Sequence, residues 1–127
     1  VYKLKVRMHF DAAHFIRDYQ GKCSREHGHR WTVEAVFEGK VLDAKNMLSD
    51  FANIKYVMGN IINGMLDHYQ LNETLKEPNV TAEFLAEYLY KRFWDAFTGK
   101  GSLVQALATL KSVTVWESPD CGAEYAE

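Results

Sequence analysis

The sequence predicts an α+β domain, an antiparallel sheet with two helices gathered on one of its faces. Three observations predict it. Two stretches near the N-terminus alternate apolar and polar residues with the period of two that marks a half-buried strand. Two later stretches carry apolar residues at helical spacing behind residues suited to capping. A run rich in Val and Thr near the C-terminus returns to strand character.

The first alternation sets Tyr2, Leu4, Val6, Met8 and Phe10 against Lys3, Lys5, Arg7 and His9. A polar stretch from Arg17 to Glu26 reads as the loop to a second, antiparallel strand over His27 to Phe37. One face of that strand carries His27, His29, Trp31, Val33, Ala35 and Phe37. Gly39-Lys40 marks a turn, and Val41 to Leu48 is assigned a third, short strand. Asp50 is suited to cap a helix whose apolar stripe is Ile54, Val57, Met58, Ile61, Ile62, Met65 and Leu66. Tyr69 to Asn79 is polar, contains Pro78 and reads as a loop. Thr81 caps a second helix carrying Phe84, Leu85, Tyr88, Leu89 and Phe93, which ends near Gly99-Lys100-Gly101. Leu110 to Glu117 is a strand, Pro119 to Gly122 a turn, and Glu124 to Glu127 a last short strand.

The 127 residues read as one domain, 1–127, able to bury roughly two-thirds of their unfolded surface. Hydrophobic residues at 47% and charged residues at 25% are ordinary for a globular protein. A net charge of −2 gives no electrostatic case for nucleic acid or an anionic membrane. No apolar run approaches the ~20 residues of a membrane span, and no secretory leader is evident. Cys23 and Cys121 are far apart in sequence and suggest no disulfide framework, so a reducing cytoplasm is the expected compartment. Apolar and aromatic residues on both strand faces favour a second subunit against the face that the helices leave open.

The chemistry centres on His14, His27 and His29. Residues i and i+2 of a strand project from one face, so His27 and His29 reach one metal ion and His14 completes the set from the neighbouring strand. Three imidazoles leave one tetrahedral position open, the pattern of a catalytic zinc; iron and nickel accept the same ligands. Gly28 between the ligands is read as letting the backbone approach closely. Cys23, four residues before His27, is either a fourth ligand that closes the site or a free thiol activated by the cation beside it. Asp67-His68 is either a solvated helix end or a carboxylate orienting an imidazole for proton transfer. Glu117 ends an otherwise apolar strand. It suits either a rim pairing or a ligand with a guanidine-like N–H edge, to which a carboxylate accepts two parallel bonds.

Four motifs in this order resemble one family. They are Phe10-Asp11-Ala12-Ala13-His14, Cys23-Ser24-Arg25-Glu26-His27-Gly28-His29, Leu66-Asp67-His68-Tyr69-Gln70-Leu71-Asn72 and Val113-Thr114-Val115-Trp116-Glu117. Together they resemble the 6-pyruvoyl-tetrahydropterin synthase family. Three residues between Cys23 and His27 resemble its 6-carboxy-tetrahydropterin synthase branch, which belongs to queuosine biosynthesis. The stretch Asn79-Val80-Thr81-Ala82-Glu83 keeps the family's Thr and Glu, with Val80 where proline is usual.

The resemblance implies a tunnelling fold, a four-stranded antiparallel sheet with two helices on one face, whose subunits join edge to edge into a barrel as a trimer or hexamer. Active sites then lie at subunit boundaries, where Cys23 meets Asp67 and His68 of a neighbour. It implies Zn2+ on His14, His27 and His29, Cys23 as general base, Asp67-His68 as proton relay, and Glu117 holding the pterin with help from Thr81. Arg25 is a candidate for the phosphates. The implied reaction converts 7,8-dihydroneopterin triphosphate to 6-carboxy-5,6,7,8-tetrahydropterin, releasing acetaldehyde and triphosphate. Two other readings remain: the pyruvoyl synthase, which eliminates triphosphate only, and a zinc-stabilised binding module in which Cys23 closes the site.

Overall fold

The structure is a computed structural model that describes residues 1–17, 19–102 and 107–127. Four strands, β1 (Tyr2–His14), β2 (His27–Gly39), β3 (Thr109–Ser118) and β4 (Cys121–Ala126), form one antiparallel sheet in the order β1-β2-β3-β4. Helices α1 (Phe51–Met65) and α3 (Ala82–Thr98) lie on one face, joined through the short α2 (Leu71–Thr74). Helix α1 packs on β1, and α3 packs on β3 and β4.

Period-two alternation decides which residues face the helices. Val6 and Phe10 of β1, Trp31, Val33, Ala35 and Phe37 of β2, and Val113 and Val115 of β3 are buried there. They meet Ile54, Met58 and Ile62 of α1 and Leu85, Leu89 and Phe93 of α3. Each of the larger aliphatic and phenylalanine side chains contributes about 1.5–3 kcal/mol by leaving water. Truncating the fully buried Trp31 to Ala costs about 3–5 kcal/mol, because a cavity remains.

The caps are those the sequence announces. Asp50 Oδ1 accepts from the Ala52 amide at 2.8 Å, and Thr81 Oγ1 accepts from the Phe84 amide at 3.1 Å. Each satisfies one of the donors that a helix start leaves without a partner.

The structure corrects three boundaries. Val41 to Leu48 is not a strand. Asp43 Oδ1 accepts from the amides of Lys45 and Met47, and Asn46 turns the chain at φ 62°. Local Asx bonding wins over the apolar count in that stretch. The expected loop after Tyr69 contains α2, started by Gln70, whose Oε1 accepts from the Glu73 amide. The last strand begins at Cys121 rather than Glu124, so only Pro119 and Asp120 separate β3 from β4.

Candidate metal centre and proton relay

The site is built at the end of the sheet where β1 stops and β2 starts. His14 and His27 are direct partners across the β1–β2 ladder, and Ala12 pairs with His29. The register thus sets His29 diagonal to His14 on the same face. Ring centroids lie 4.5 Å apart for His14–His27, 5.0 Å for His14–His29 and 4.6 Å for His27–His29. Trp31 floors the cluster, edge-on to His14 and His29, and donates its indole N–H to the Ala12 carbonyl at 3.3 Å.

Two rings are oriented by backbone carbonyls. His14 Nδ1–H donates to the Val80 carbonyl at 2.7 Å, and His27 Nδ1–H donates to the Arg25 carbonyl at 2.6 Å. A carbonyl only accepts, so the proton sits on Nδ1 and Nε2 carries the lone pair. Orientation of a ligand ring through its second nitrogen is the usual support of a metal-binding imidazole.

Glu117 joins the cluster from β3. The β3–β4 register steps from Trp116↔Gly122 to Ser118↔Cys121, which leaves Glu117 unpaired at a bulge. A bulge re-aims the residue it displaces. Glu117 Oε1 lies 3.1 Å from Nε2 of His14 and 3.1 Å from Nε2 of His29. The two Nε2 atoms are buried and have no hydrogen-bond partner, so these approaches are close without being bonds. Ligand atoms of His14, His27, His29 and Glu117 all lie within 4.8 Å of one another. Donors on a tetrahedral zinc with Zn–N near 2.1 Å stand about 3.4 Å apart. Small side-chain adjustments therefore close the cage.

Electrostatics favour a cation there. Burial, the largest influence, pulls His14 below the ordinary imidazole value of 6.5, and the neighbouring His27 pulls the same way. The Val80 carbonyl and Glu117 oppose them. Burial likewise lowers His29, against the pull of Glu117. Neutral rings at neutral pH mean that lone pairs and a carboxylate oxygen converge with no proton between them. A divalent cation resolves that convergence, and the donor set fits zinc.

Among the described residues, Cys23 belongs to no such cluster. It is a free, half-buried thiol in a short 3₁₀ turn, Lys22–Ser24, and its carbonyl accepts from the Ile16 amide at 2.8 Å.

Asp67 and His68 follow the C-terminus of α1 and grip the edge of β1. Asp67 Oδ1 accepts from the Asp11 amide at 3.0 Å, and the His68 amide donates to the Asp11 carbonyl at 2.6 Å. His68 takes φ 64°, uncommon outside glycine. Asp67 Oδ2 lies 3.0 Å from His68 Nδ1. The Asp11 amide is the main cause that holds the Asp67 carboxyl below its ordinary 3.8; His68 adds to it, while burial works the other way. The imidazole of His68 is 79% exposed, so the pair presents an oriented ring to solvent. His68 and His29 line one open cleft of about 550 Å³ with Asp11, Glu26 and Gly28.

Thr81 caps its helix as the sequence reading has it, whereas Gly28 stands differently. The Thr81 hydroxyl oxygen accepts from the Phe84 amide, and its O–H proton and second lone pair remain for a ligand. A Cβ at Gly28 would meet nothing within 4 Å in this subunit. Packing inside the chain therefore does not demand glycine between the two histidines. The sequence reading does not place Asn72, Val80 or the backbone carbonyl of Arg25 in the site. The backbone acceptors carry no side-chain signal in sequence, and Asn72 sat in a stretch read as polar loop.

The sheet with its helices on one face is the tunnelling fold. A solved 6-pyruvoyl tetrahydropterin synthase from Caenorhabditis elegans superposes with a TM-score of 0.80, at 23% identity over 99% of this chain and 95% of that one. One from Plasmodium vivax gives 0.69, at 17% identity over 100% and 99%. A family model described as 6-pyruvoyl tetrahydropterin synthase matches residues 3–127. The chain belongs to that family of enzymes. It is 34% identical over 110 residues to the 6-carboxy-5,6,7,8-tetrahydropterin synthase of Bacillus subtilis, covering 82% of this chain and 75% of the relative. It is 30% identical over 120 residues to the protein of the same name from Synechocystis, covering 87% and 88%.

Proposed function

We propose that this chain converts 7,8-dihydroneopterin triphosphate to 6-carboxy-5,6,7,8-tetrahydropterin, releasing acetaldehyde and triphosphate on a route to queuosine. The observation that carries the reading is the convergence of the His14, His27 and His29 ring nitrogens at the end of the sheet. The names of the relatives and the Cys23–His27 spacing choose the branch within the family.

His14, His27 and His29 would hold zinc. A bound divalent cation polarises hydroxyl and carbonyl oxygens of the substrate side chain and eases loss of their protons. The residues of the chain do the rest. The Val80 and Arg25 carbonyls fix the tautomers of His14 and His27, so that Nε2 faces the substrate side. Trp31 closes the floor against water. Cys23 is the general base, and its absence from the cluster of ligand atoms supports a reacting thiol over a fourth ligand. Asp67 orients His68, which carries the complementary proton. Glu117 accepts the amino-pyrimidine N–H edge of the pterin, with the Thr81 hydroxyl assisting. Arg25 is our candidate for binding the phosphates.

The sheet has two outer edges, β1 and β4. On β1 the segment Asp67–Gln70 covers Asp11 to Ala13. Edge-to-edge assembly into a trimer or hexamer would pair the remaining length and bring Cys23 of one subunit to Asp67 and His68 of the next. No helix of the described residues is long and apolar enough to cross a membrane, and we place the enzyme in the cytoplasm.

The test is product identification. Zinc-loaded protein incubated with 7,8-dihydroneopterin triphosphate should yield 6-carboxytetrahydropterin and acetaldehyde by mass spectrometry. Triphosphate release with a pyruvoyl product would reassign the chain to the other branch. Bound zinc with no turnover would leave a binding module.

A further inference from the structure

We infer that Asn72 is a positioning residue of the metal centre: a single buried amide that fixes both the backbone leaving His14 and the carbonyl that orients its ring. The inference rests on the metal reading above.

Asn72 is 8% exposed and uses every polar atom of its side chain. Its Oδ1 accepts from the Phe15 amide at 2.9 Å and from Gln70 Nε2 at 3.2 Å. Its Nδ2 donates to the carbonyls of Phe15 at 3.0 Å, Glu77 at 3.1 Å and Pro78 at 2.8 Å, two protons shared among three acceptors. Phe15 is the residue after His14, and Pro78 stands two residues before Val80. The same amide thus holds the chain that carries the imidazole and the chain that carries the imidazole's acceptor.

The staple extends along both strands of the loop pair. Ile16 and Asn79 form an antiparallel bridge, and Asn79 Oδ1 accepts from the Arg17 amide at 2.6 Å. The Ile16 amide donates to the Cys23 carbonyl. The loop that carries the thiol therefore hangs from the same segment as the ligand.

The chemistry admits few substitutes. Two acceptor bonds and a planar pair of donors are required at one buried point, which a carboxylate, a hydroxyl or an alkyl group does not supply. Asn72 touches neither the histidine nitrogens nor the Cys23 sulfur, so it acts through Val80, Phe15 and Ile16. Groups that orient metal-binding histidines typically change metal affinity 10–100-fold when removed.

The experiment compares Asn72→Ala and the milder Asn72→Ser with Leu71→Ala, a fully buried apolar neighbour. In metal-free protein, 15N spectra of the imidazoles should show His14 in a single Nδ1–H tautomer. That preference should be lost in Asn72→Ala, weakened in Asn72→Ser and kept in Leu71→Ala. Competition with a chromophoric chelator should show Zn2+ bound 10–100-fold more weakly by Asn72→Ala, and by less than threefold in Leu71→Ala. At saturating Zn2+, kcat of Asn72→Ala should remain at least tenfold down, because the Cys23 loop hangs on the same staple. Unchanged tautomer and affinity in Asn72→Ala, or an equal loss in Leu71→Ala, would overturn the inference. If neither Asn72 variant folds, wild-type hydrogen exchange decides: the Asn72 side-chain amide protons must be protected, and rapid exchange overturns it. Wild-type protein that takes up no Zn2+ removes the metal reading instead, while the tautomer measurement still decides the role of Asn72.

Discussion

Trp116 lies flat over Gly122, its direct partner across the β3–β4 ladder, so closely that a Cβ on Gly122 would come within 2.7 Å of two indole carbons. The next residue is Glu117, displaced at the bulge. The packing of an indole on a glycine therefore helps to fix where the carboxylate points.

Gly122→Ala should destabilise the protein by about 1–3 kcal/mol, the usual cost of forcing extra volume into a packed contact. Thermal denaturation measures it. An unchanged Tm would show that the indole moves aside freely and that this contact does not hold the bulge.

His27→Ala should leave less than a tenth of the wild-type zinc after dialysis, by elemental analysis, since a cage of three donors does not survive the loss of one. Cys23→Ala should keep its zinc and lose at least a hundredfold in kcat. Zinc lost from Cys23→Ala would mark the sulfur as a ligand, and full metal and activity in His27→Ala would sink the site.

Glu117→Gln should keep zinc within a few-fold and raise KM for the pterin strongly, because an amide offers only one acceptor where the N–H edge needs two. Loss of zinc with KM unchanged would instead assign the carboxylate to the cation. The 3.1 Å approach to His14 and His29 makes that contrast worth measuring.

Metal-free protein should lose stability as pH falls below about 6.5. His14 and His29 both titrate lower in the folded chain than their ordinary 6.5, through burial above all. Over that window the unfolded chain takes up protons that the native rings refuse. Their contribution is thus complete above 6.5 and is lost as pH drops toward the folded values, at no more than about 1.4 kcal/mol per pH unit for each ring. Urea unfolding between pH 7.5 and 5 reads the slope, and His14→Gln should flatten it. A pH-independent midpoint would show that the rings are not held neutral.

Much of this was legible in the chain. Alternation across Tyr2–Phe10 and His27–Phe37 carries its own period, so strand, face and histidine side follow together. Asp50 and Thr81 announce helix starts because their side chains bond locally. What was not legible depends on pairing between distant residues. The position of Glu117 follows from a bulge that exists only once β4 docks on β3. Asn72 looks like one polar residue in a polar loop, and Phe15, whose amide and carbonyl both bond to it, lies on a segment that meets that loop only in the fold. Val41 to Leu48 has the apolar content of a strand, but the turn bonding of Asp43 decides its conformation.

The two-residue connection at Pro119-Asp120 sets a limit on how this family member can diverge. Surface hairpins commonly absorb insertions, but here one added residue would slide β4 by a step and turn all its side chains over. Gly122 would leave its place beneath the indole, and the acidic corner would swing away from the imidazoles. Length change at this tip would therefore reach the histidine cluster, although the tip itself lies outside it.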